Sequence, residues 1–215
     1  MDLEKRIIKI PSRKSSKLFL KVIPGHFTTN HSHINYYIDM TTLKSRQNEA
    51  TEVARVLVNR YVHTTIVDTI ICMDGCEVVG AFLADELTRA GIMSMNAHKT
   101  IYITSPEFNT SGQMIFRDNI QPMVKGKNII LLFATATTGE TIQKTLECIQ
   151  YYGGTVQGIS AIFSAVEQVD NNVVDYVFGQ EDIADYKTYS YTECPFCKQK
   201  QKIEAIVSGN GYTKL

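Results

Sequence analysis

The stretch Asn128-Ile-Ile-Leu-Leu-Phe-Ala-Thr-Ala-Thr-Thr-Gly-Glu-Thr141 decides the fold of this 215-residue chain. Its short apolar run, 127–135, predicts a strand that is buried on both faces. Small hydroxyl residues and a glycine follow, and the pattern over 140–152 predicts an amphipathic helix directly after them. A buried strand that turns at once into a helix is typical of α/β proteins.

The same alternation of strands and helices runs through much of the chain. The other predicted elements are helix 43–62, strand 65–72, helix 78–90 closed by Gly91, strand 100–104, a loop or hairpin over 105–119, and strands 156–163 and 173–178. This order, with its short connections, predicts the α/β class with a mainly parallel sheet flanked by helices.

Composition and charge exclude several classes of protein. Hydrophobic residues make up 44% of the chain and charged residues 20%, which is enough to bury a sizeable core. Lys and Arg number 22, as do Asp and Glu, so charge gives no reason to expect a nucleic-acid partner or a membrane surface. Because no long apolar stretch and no signal-peptide pattern is visible, we expect a soluble cytoplasmic protein.

The residues after the central strand have the composition of a phosphate site. Ligands of open α/β sheets bind at the carboxyl ends of strands, and free amides at a helix N-terminus attract phosphate. Thr137, Thr138 and Thr141 add hydroxyl donors next to Gly139 and Glu140. The alternative is that these threonines only cap the helix.

A second turn of the same kind follows the 65–72 strand. It consists of Met73-Asp74-Gly75-Cys76, and its glycine lets backbone amides face an anion. Such turns often bind nothing, but two of them in one sheet favour an anion-binding cleft.

These segments resemble the type I phosphoribosyltransferase family. The 128–141 element resembles the phosphoribosyl pyrophosphate (PRPP) motif of that family. Gly25-His26-Phe27-Thr28 through His33-Ile34-Asn35-Tyr36-Tyr37-Ile38-Asp39 resembles the N-terminal stretch of orotate phosphoribosyltransferases, which begins the base-binding hood, here about 20–42. The resemblance implies a phosphoribosyltransferase-like domain over 1–185, a homodimer, Mg²⁺ as the cofactor, and a role in pyrimidine nucleotide biosynthesis.

The resemblance also implies site residues and a reaction. The 137–141 loop would grip the 5′-phosphate, and the 73–76 loop would lie beside the pyrophosphate. His33, Tyr36 and Tyr37 would help to hold the base and the pyrophosphate. The implied reaction transfers ribosyl phosphate from PRPP to a nitrogen base with loss of pyrophosphate.

The sequence departs from the family where the reaction needs charge. The family's acidic pair at the end of the PRPP strand falls here on Phe133 and Ala134, and the 105–113 stretch contains no Lys, Arg or His. Carboxylates near the ribose and cations near the pyrophosphate are the expected stabilisers of the transition state. We therefore predict that the phosphate grip is kept while catalysis is weak or altered, and we assign no catalytic residue. The alternatives are a non-catalytic sensor of PRPP or nucleotides and a zinc-stapled structural or interaction protein.

The C-terminal residues, 186–215, are polar and form a predicted appendage. They contain Cys194-Pro195-Phe196-Cys197, a C-x-x-C that supplies two of the four ligands of a structural Zn²⁺. The other ligands stay open, with a second subunit, Cys72, Cys76 and Cys148 as candidates. Unligated thiols and redox chemistry are the alternatives to zinc.

Three histidines cluster near the start of the chain. No Cys or carboxylate spacing around His26, His31 and His33 completes a metal site. We interpret them as loop histidines that are solvated or hydrogen-bonded.

Overall fold

The structure, a computed structural model, describes residues 3–89, 94–97 and 99–215. The first elements are β1 (Ile8–Pro11), β2 (Phe19–Thr28), β3 (His33–Asp39), α1 (Thr41–Ser45), α2 (Gln47–Val58), β4 (Thr69–Cys72) and α3 (Glu77–Arg89). They are followed by β5 (Tyr102–Thr104), β6 (Glu107–Phe108), β7 (Met114–Ile115), β8 (Asn128–Ala136), α4 (Glu140–Tyr151), β9 (Thr155–Ser164), β10 (Gln168–Val169) and β11 (Asn172–Gly179). The last elements are β12 (Thr188–Tyr189), α5 (Pro195–Lys198), β13 (Ala205–Ser208) and β14 (Gly211–Lys214).

The central sheet confirms the predicted α/β class. Its strand order is β10-β11-β9-β8-β4-β5, and every neighbouring pair is parallel except β10 with β11. Side chains of β8 alternate between two hydrophobic cores. Leu132 and Ala134 belong to a core shared with α2, α3 and the N-terminal strands, whereas Leu131 and Phe133 belong to a core shared with α4. β8 is apolar at consecutive positions because both of its faces are covered.

A second sheet joins the two ends of the chain, and we call it the hood sheet. Its strand order is β12-β3-β2-β13-β14, and β1 also pairs with β2. β13 lies parallel to β2, with Ala205 opposite Phe27. The 186–215 segment, predicted as an appendage, therefore supplies three strands of the same sheet to which the 20–42 segment contributes.

The predicted helix 43–62 is interrupted near its start. Arg46 has extended backbone angles (φ −86°, ψ 121°), and it separates the short α1 from α2. The break turns α1 against the hood sheet, so that Leu43 and Lys44 are both buried. A helical pattern of apolar residues does not reveal such a break, because the pattern continues on both sides of it.

Two other predicted elements have shifted bounds. The strand predicted over 65–72 begins only at Thr69, since the Val67 N–H donates to the Asn96 side chain and not to a neighbouring strand. The helix predicted over 78–90 begins at Glu77, and its predicted end at Gly91 lies outside the described residues. Among the elements listed above, no helix has both the length and the apolar content needed to cross a bilayer.

Phe133→Ala tests how strongly the fold depends on β8. The ring of Phe133 is 0% exposed, and its removal leaves a cavity, so we expect the free energy of unfolding to fall by about 3–5 kcal/mol. Phe108→Ala is the matched control because that ring is 58% exposed, and its removal should change stability by less than about 0.5 kcal/mol. Urea unfolding followed by circular dichroism measures both variants; equal losses would contradict the role given to β8.

Candidate functional site

A cleft of about 230 Å³ lies between the carboxyl end of β8 and the hood sheet. Four separate parts of the chain line it: the β2–β3 turn with β3, the loop after β4, the loop from β8 into α4, and the C-terminal residues. The cleft thus has the position that ligand sites of open α/β sheets occupy, beyond the carboxyl ends of the strands.

The loop from β8 into α4 forms one wall of the cleft. Thr137, Thr138, Gly139 and Thr141 line it. Gly139 has φ +83°, and a Cβ there would lie 2.8 Å from the Cγ2 of Val169. Both the left-handed backbone conformation and the lack of room for a side chain therefore favour glycine. The N-cap Gly139 has no side chain to cap α4, and the Thr138 hydroxyl accepts a long hydrogen bond of 3.5 Å from the Glu140 N–H. The threonines therefore line the cleft next to the first-turn amides of α4.

The turn after β4 reaches the cleft through its middle residues. Asp74 (φ +56°) lines the cleft, and Gly75 (φ +77°) lines an adjoining cavity of about 230 Å³. Met73 and Cys76 are buried in the cores on either side of the sheet. Of the four residues predicted for this loop, two are brought to the cavities and two hold the loop in place.

Lys44 is the cation that sequence reasoning missed. Its Nζ donates hydrogen bonds to the carbonyl oxygens of Asp74 and Gly209, the latter at 2.6 Å. An ammonium group has three donors, so one N–H remains for the adjoining cavity, which Lys44 also lines. No lysine or arginine of the described residues lines the main cleft itself.

Asp74 is the carboxylate best placed in the cleft. Burial raises the pKa of the Asp74 carboxyl above its usual range, and the nearby Glu77 adds to the rise. The Lys44 ammonium and a backbone hydrogen bond from Ala134 act in the opposite direction without cancelling the rise. A charged Asp74 is therefore held at an electrostatic cost beside Lys44, the lysine that lines the adjoining cavity.

The two other acidic residues near these loops have partners elsewhere. Glu77 accepts a hydrogen bond of 2.5 Å from the Ser105 hydroxyl. The Oε2 atom of Glu140 lies 3.2 Å from Nδ1 of His31 at the edge of the cleft. Both contacts are solvent-exposed, so Glu77 and Glu140 are less suited than Asp74 to face a bound ligand.

The three hood residues that were predicted to hold a base do not lie together in the structure. Tyr37 lines the cleft, where burial, Asp39 and Tyr212 raise its pKa. Tyr36 is half-buried and packs against the core. His33 lies away from the cleft lining and contacts His26, so only Tyr37 of the three predicted residues is at the cleft.

Tyr186 and the β13–β14 turn also line the cleft, although no local sequence pattern indicates them. Burial raises the pKa of Tyr186 to about 12, and Thr188 opposes that rise. The Tyr186 hydroxyl has no partner of hydrogen-bonding geometry in the described part of the chain. Gly209 lies so close to Asp74 that a Cβ on it would be 2.5 Å from the Asp74 Cβ. The C-terminal residues thus complete the cleft.

A separate cluster lies under the β2–β3 hairpin. The ligand atoms of His26, His33, Cys194 and Cys197 all lie within 4.8 Å of one another, and this is the group of described residues that has the geometry to hold a metal ion. His26 and His33 are strand residues with 0% and 5% exposure, so their interpretation as loop histidines is wrong. Only His31 lies in the turn.

The three other cysteines are not part of this cluster. Cys72 and Cys76 are buried in the core that α3 shares. Cys148 lies on α4, where its thiol contacts the carbonyl oxygen of Met114 at 3.6 Å. The structure does not bring these three candidate ligands to Cys194 and Cys197, because the β2–β3 hairpin supplies the neighbouring groups.

Comparison with known proteins shows which proteins this chain resembles in sequence and in fold. No family model matches the chain. The orotate phosphoribosyltransferase of Pelotomaculum thermopropionicum is 25% identical over 184 residues, which cover 83% of this chain and 86% of the relative. That of Caldanaerobacter subterraneus subsp. tengcongensis is 26% identical over 179 residues, covering 81% and 84%. The solved orotate phosphoribosyltransferase of Mycobacterium tuberculosis H37Rv has a TM-score of 0.51 at 16% identity, covering 77% of this chain and 93% of that one.

The chain has the fold of the type I phosphoribosyltransferases and is similar in sequence to orotate phosphoribosyltransferases. This phosphoribosyltransferase-like protein departs from the family at the end of β8, where Phe133 and Ala134 are both 0% exposed and packed into the two cores. The β6–β7 hairpin has Arg117 next to it, but that guanidinium is paired with Glu107 at 2.8 Å. Its PRPP motif is therefore degenerate.

The cleft of this phosphoribosyltransferase-like protein does not provide a protein-built Mg²⁺ site. Mg²⁺ prefers oxygen ligands, usually one or two carboxylates together with substrate phosphates. Asp74 is the one carboxylate among the described residues that line the cleft. Phe133 and Ala134 have no side-chain oxygen to offer, so no step of a mechanism is assigned to Mg²⁺ here.

Asp74→Asn tests the electrostatic cost of the buried carboxyl. Because its pKa is raised in the folded protein, the folded state binds this proton more tightly than the unfolded chain, and stability falls as pH rises above about 3.9. Asn also tolerates a positive φ and carries no charge. We therefore expect the variant to be more stable than the wild type at about pH 7 and equally stable at about pH 3.

Thermal unfolding between these pH values measures the effect. Asp170→Asn is the matched control, because Asp170 has a similar φ of +51° but is exposed. A stability difference for Asp74→Asn that does not change with pH would contradict the electrostatic explanation.

Proposed function

We propose that this protein binds the 5′-phosphate of a phosphoribosyl ligand, PRPP or a nucleotide, at the loop from β8 into α4. The observation that carries the proposal is the cleft wall formed by Thr137, Thr138, Gly139 and Thr141 at the N-terminus of α4, where Glu140 is the first helical residue. Amides at a helix N-terminus and neutral hydroxyl donors are well suited to a phosphate group. The names of the sequence relatives support the same ligand class.

The rest of the ligand would extend from this phosphate along the cleft. In the proposed pose the ribose lies towards Asp74, and the pyrophosphate occupies the adjoining cavity beside Gly75 and Lys44. The base would pack against Tyr37, whose ring is rigid because it contacts Phe27 and Tyr212.

We propose that the associated reaction is an orotate phosphoribosyltransferase-type transfer. A bond forms between a base nitrogen and C1′ of the ribose, and the bond from C1′ to pyrophosphate breaks. Positive charge grows on the ribose and negative charge on the leaving pyrophosphate. Asp74 and the remaining N–H of Lys44 are the groups that would stabilise these charges.

The rate of this transfer should be low. Lys44 already holds two carbonyl oxygens, and Asp74 is strained electrostatically by its own burial. Losing one preorganised donor costs an enzyme about 2.7–4 kcal/mol of transition-state stabilisation. One shared lysine and one buried carboxyl are a weak substitute for an acidic pair and a set of loop cations.

Mg²⁺ would enter as the counter-ion of the pyrophosphate of PRPP, since the protein offers it few oxygens. The homodimer, the cytoplasmic location and the role in pyrimidine nucleotide biosynthesis remain predictions. The division into a 1–185 domain and a 186–215 tail is also best revised in this proposal, because the tail lines the cleft and belongs to the same functional unit.

Thr141→Val tests the phosphate contact. Its hydroxyl lines the cleft, and a hydrogen bond to a charged group is worth about 1.5–3 kcal/mol, so we expect affinity for PRPP to fall about tenfold or more. Thr51→Val on α2 is the matched control, because its hydroxyl bonds the Gln47 carbonyl oxygen away from the cleft. Calorimetry measures both affinities; equal affinities for the two variants would contradict the proposed contact.

A steady-state assay with PRPP, Mg²⁺ and orotate, repeated with purine bases, tests the reaction. We expect product formation well below about one turnover per second, the low end of typical enzymes. Turnover at or above that rate would contradict the role assigned to the missing charges. Ligand binding without any turnover would favour the sensor alternative, and the absence of both would contradict the proposed function.

A further inference from the structure

We propose that His26, His33, Cys194 and Cys197 form a complete Cys₂His₂ site for a structural Zn²⁺. The site lies outside the cleft, and the proposal does not depend on the proposed function. His26 is on β2, His33 is the first residue of β3, Cys194 is the N-cap of α5 and Cys197 lies within α5. The chain therefore brings together two pairs of ligands whose contacts join residues 164 to 171 positions apart in sequence.

The distances among the ligand atoms fit a tetrahedral ion. Cys194 Sγ lies 3.5 Å from His26 Nε2, and Cys197 Sγ lies 3.6 Å from the same nitrogen and 3.3 Å from His33 Nδ1. The two histidine nitrogens are 3.0 Å apart. Tetrahedral Zn²⁺ with Zn–S of about 2.3 Å and Zn–N of about 2.0–2.1 Å requires S···N separations of about 3.5 Å and an N···N separation of about 3.3 Å. The cluster is already close to that size.

The surroundings of His26 prepare one of its nitrogens for a metal. Nδ1 of His26 lies 3.0 Å from the Gln201 carbonyl oxygen, and a carbonyl only accepts, so Nδ1 carries the proton. Nε2 is then left with a lone pair that faces the cluster. In metal sites, the histidine nitrogen that does not bind the metal regularly donates a hydrogen bond of this kind, which fixes the tautomer of the ligand.

The fold also closes the site on its other sides. The Phe196 ring stacks on the His26 ring with centroids 5.2 Å apart, and the Tyr191 ring stands edge-on to His33 at 5.1 Å. His26, His33 and Cys194 are buried, whereas Cys197 is the exposed member of the cluster. Four protein ligands and no open position are typical of a structural zinc site, and two thiolates with two imidazoles favour zinc over magnesium or calcium.

The ion would hold the hairpin that covers the cleft. His26 and His33 stand on the two strands that enter and leave the 29–32 turn, and the turn residues Asn30 and His31 line the cleft. The Tyr191 hydroxyl, three residues before Cys194, donates to the Thr29 carbonyl oxygen at 2.9 Å. The metal would thus fix the C-terminal α5 to the base of this turn.

Metal analysis of the full chain, purified under reducing conditions from zinc-supplemented medium, tests the proposal. We expect about one Zn²⁺ per chain in the wild type and nearly none in the Cys194→Ser/Cys197→Ser variant. Cys148→Ser is the matched control and should keep its zinc. In the hairpin, His33→Gln should lose zinc whereas His31→Gln should retain it.

Two measurements on the wild type test the proposal even if the variants do not fold. Replacement of Zn²⁺ by Co²⁺ should produce the visible absorption bands of a tetrahedral site with thiolate ligands. Removal of the metal with a chelator should lower Tm by roughly 10 °C, and added Zn²⁺ should restore it.

Several results would overturn the proposal. They are a wild-type protein without stoichiometric zinc, a double cysteine variant that retains it, and Co²⁺ bands of an octahedral site. A Cys194–Cys197 disulfide in the reduced preparation, detected by mass spectrometry, would show redox chemistry in place of metal binding.

Discussion

The burial of β8 on both faces is the constraint on which the rest of the structure depends. The apolar side chains of the strand belong to one of two cores, which α4 covers on one side and α2, α3 and the hood sheet cover on the other. The strand can end only where the cores end, and there the chain turns at Gly139 into α4. The same constraint explains why Phe133 and Ala134 are tolerated at positions where the family carries acids. Apolar side chains lower the cost of burial at the end of the strand but leave the cleft without two charges.

The charged groups that remain near the cleft belong to residues that also hold neighbouring loops in place. Lys44 ties the loop after β4 to the β13–β14 turn through two carbonyl oxygens. Asp74 packs directly against Gly209 and is partly desolvated. Groups held this firmly are well positioned, but their hydrogen-bonding capacity is largely used within the protein. This balance favours binding over catalysis, because binding needs donors in place whereas catalysis needs charge that is free to act on the transition state.

Local sequence patterns predicted the parts of the structure that local forces determine. The apolar run of β8, the amphipathic face of α4 and the glycines of the two strand-to-helix turns all lie within a few residues of the features that they specify. Long-range pairings left no such signal. β13 pairs with β2 through only Ala205 and Ile206, so nothing in the tail indicated that it supplies half of the strands of the hood sheet. Lys44, Tyr186 and the histidine half of the metal cluster were missed for the same reason: tertiary packing, and not spacing, brings them to their sites.

The hood sheet has a consequence for how the chain folds. The strands of the central sheet lie between Thr69 and Gly179, whereas the hood sheet combines β1, β2 and β3 with strands that begin only at Thr188. During synthesis, the central sheet is complete in sequence before the last strands of the hood emerge from the ribosome. The N-terminal strands must therefore wait with an open edge until the C-terminus arrives. The cleft can therefore be completed only after the last strands have been made, because Tyr186 and residues 207–210 line it.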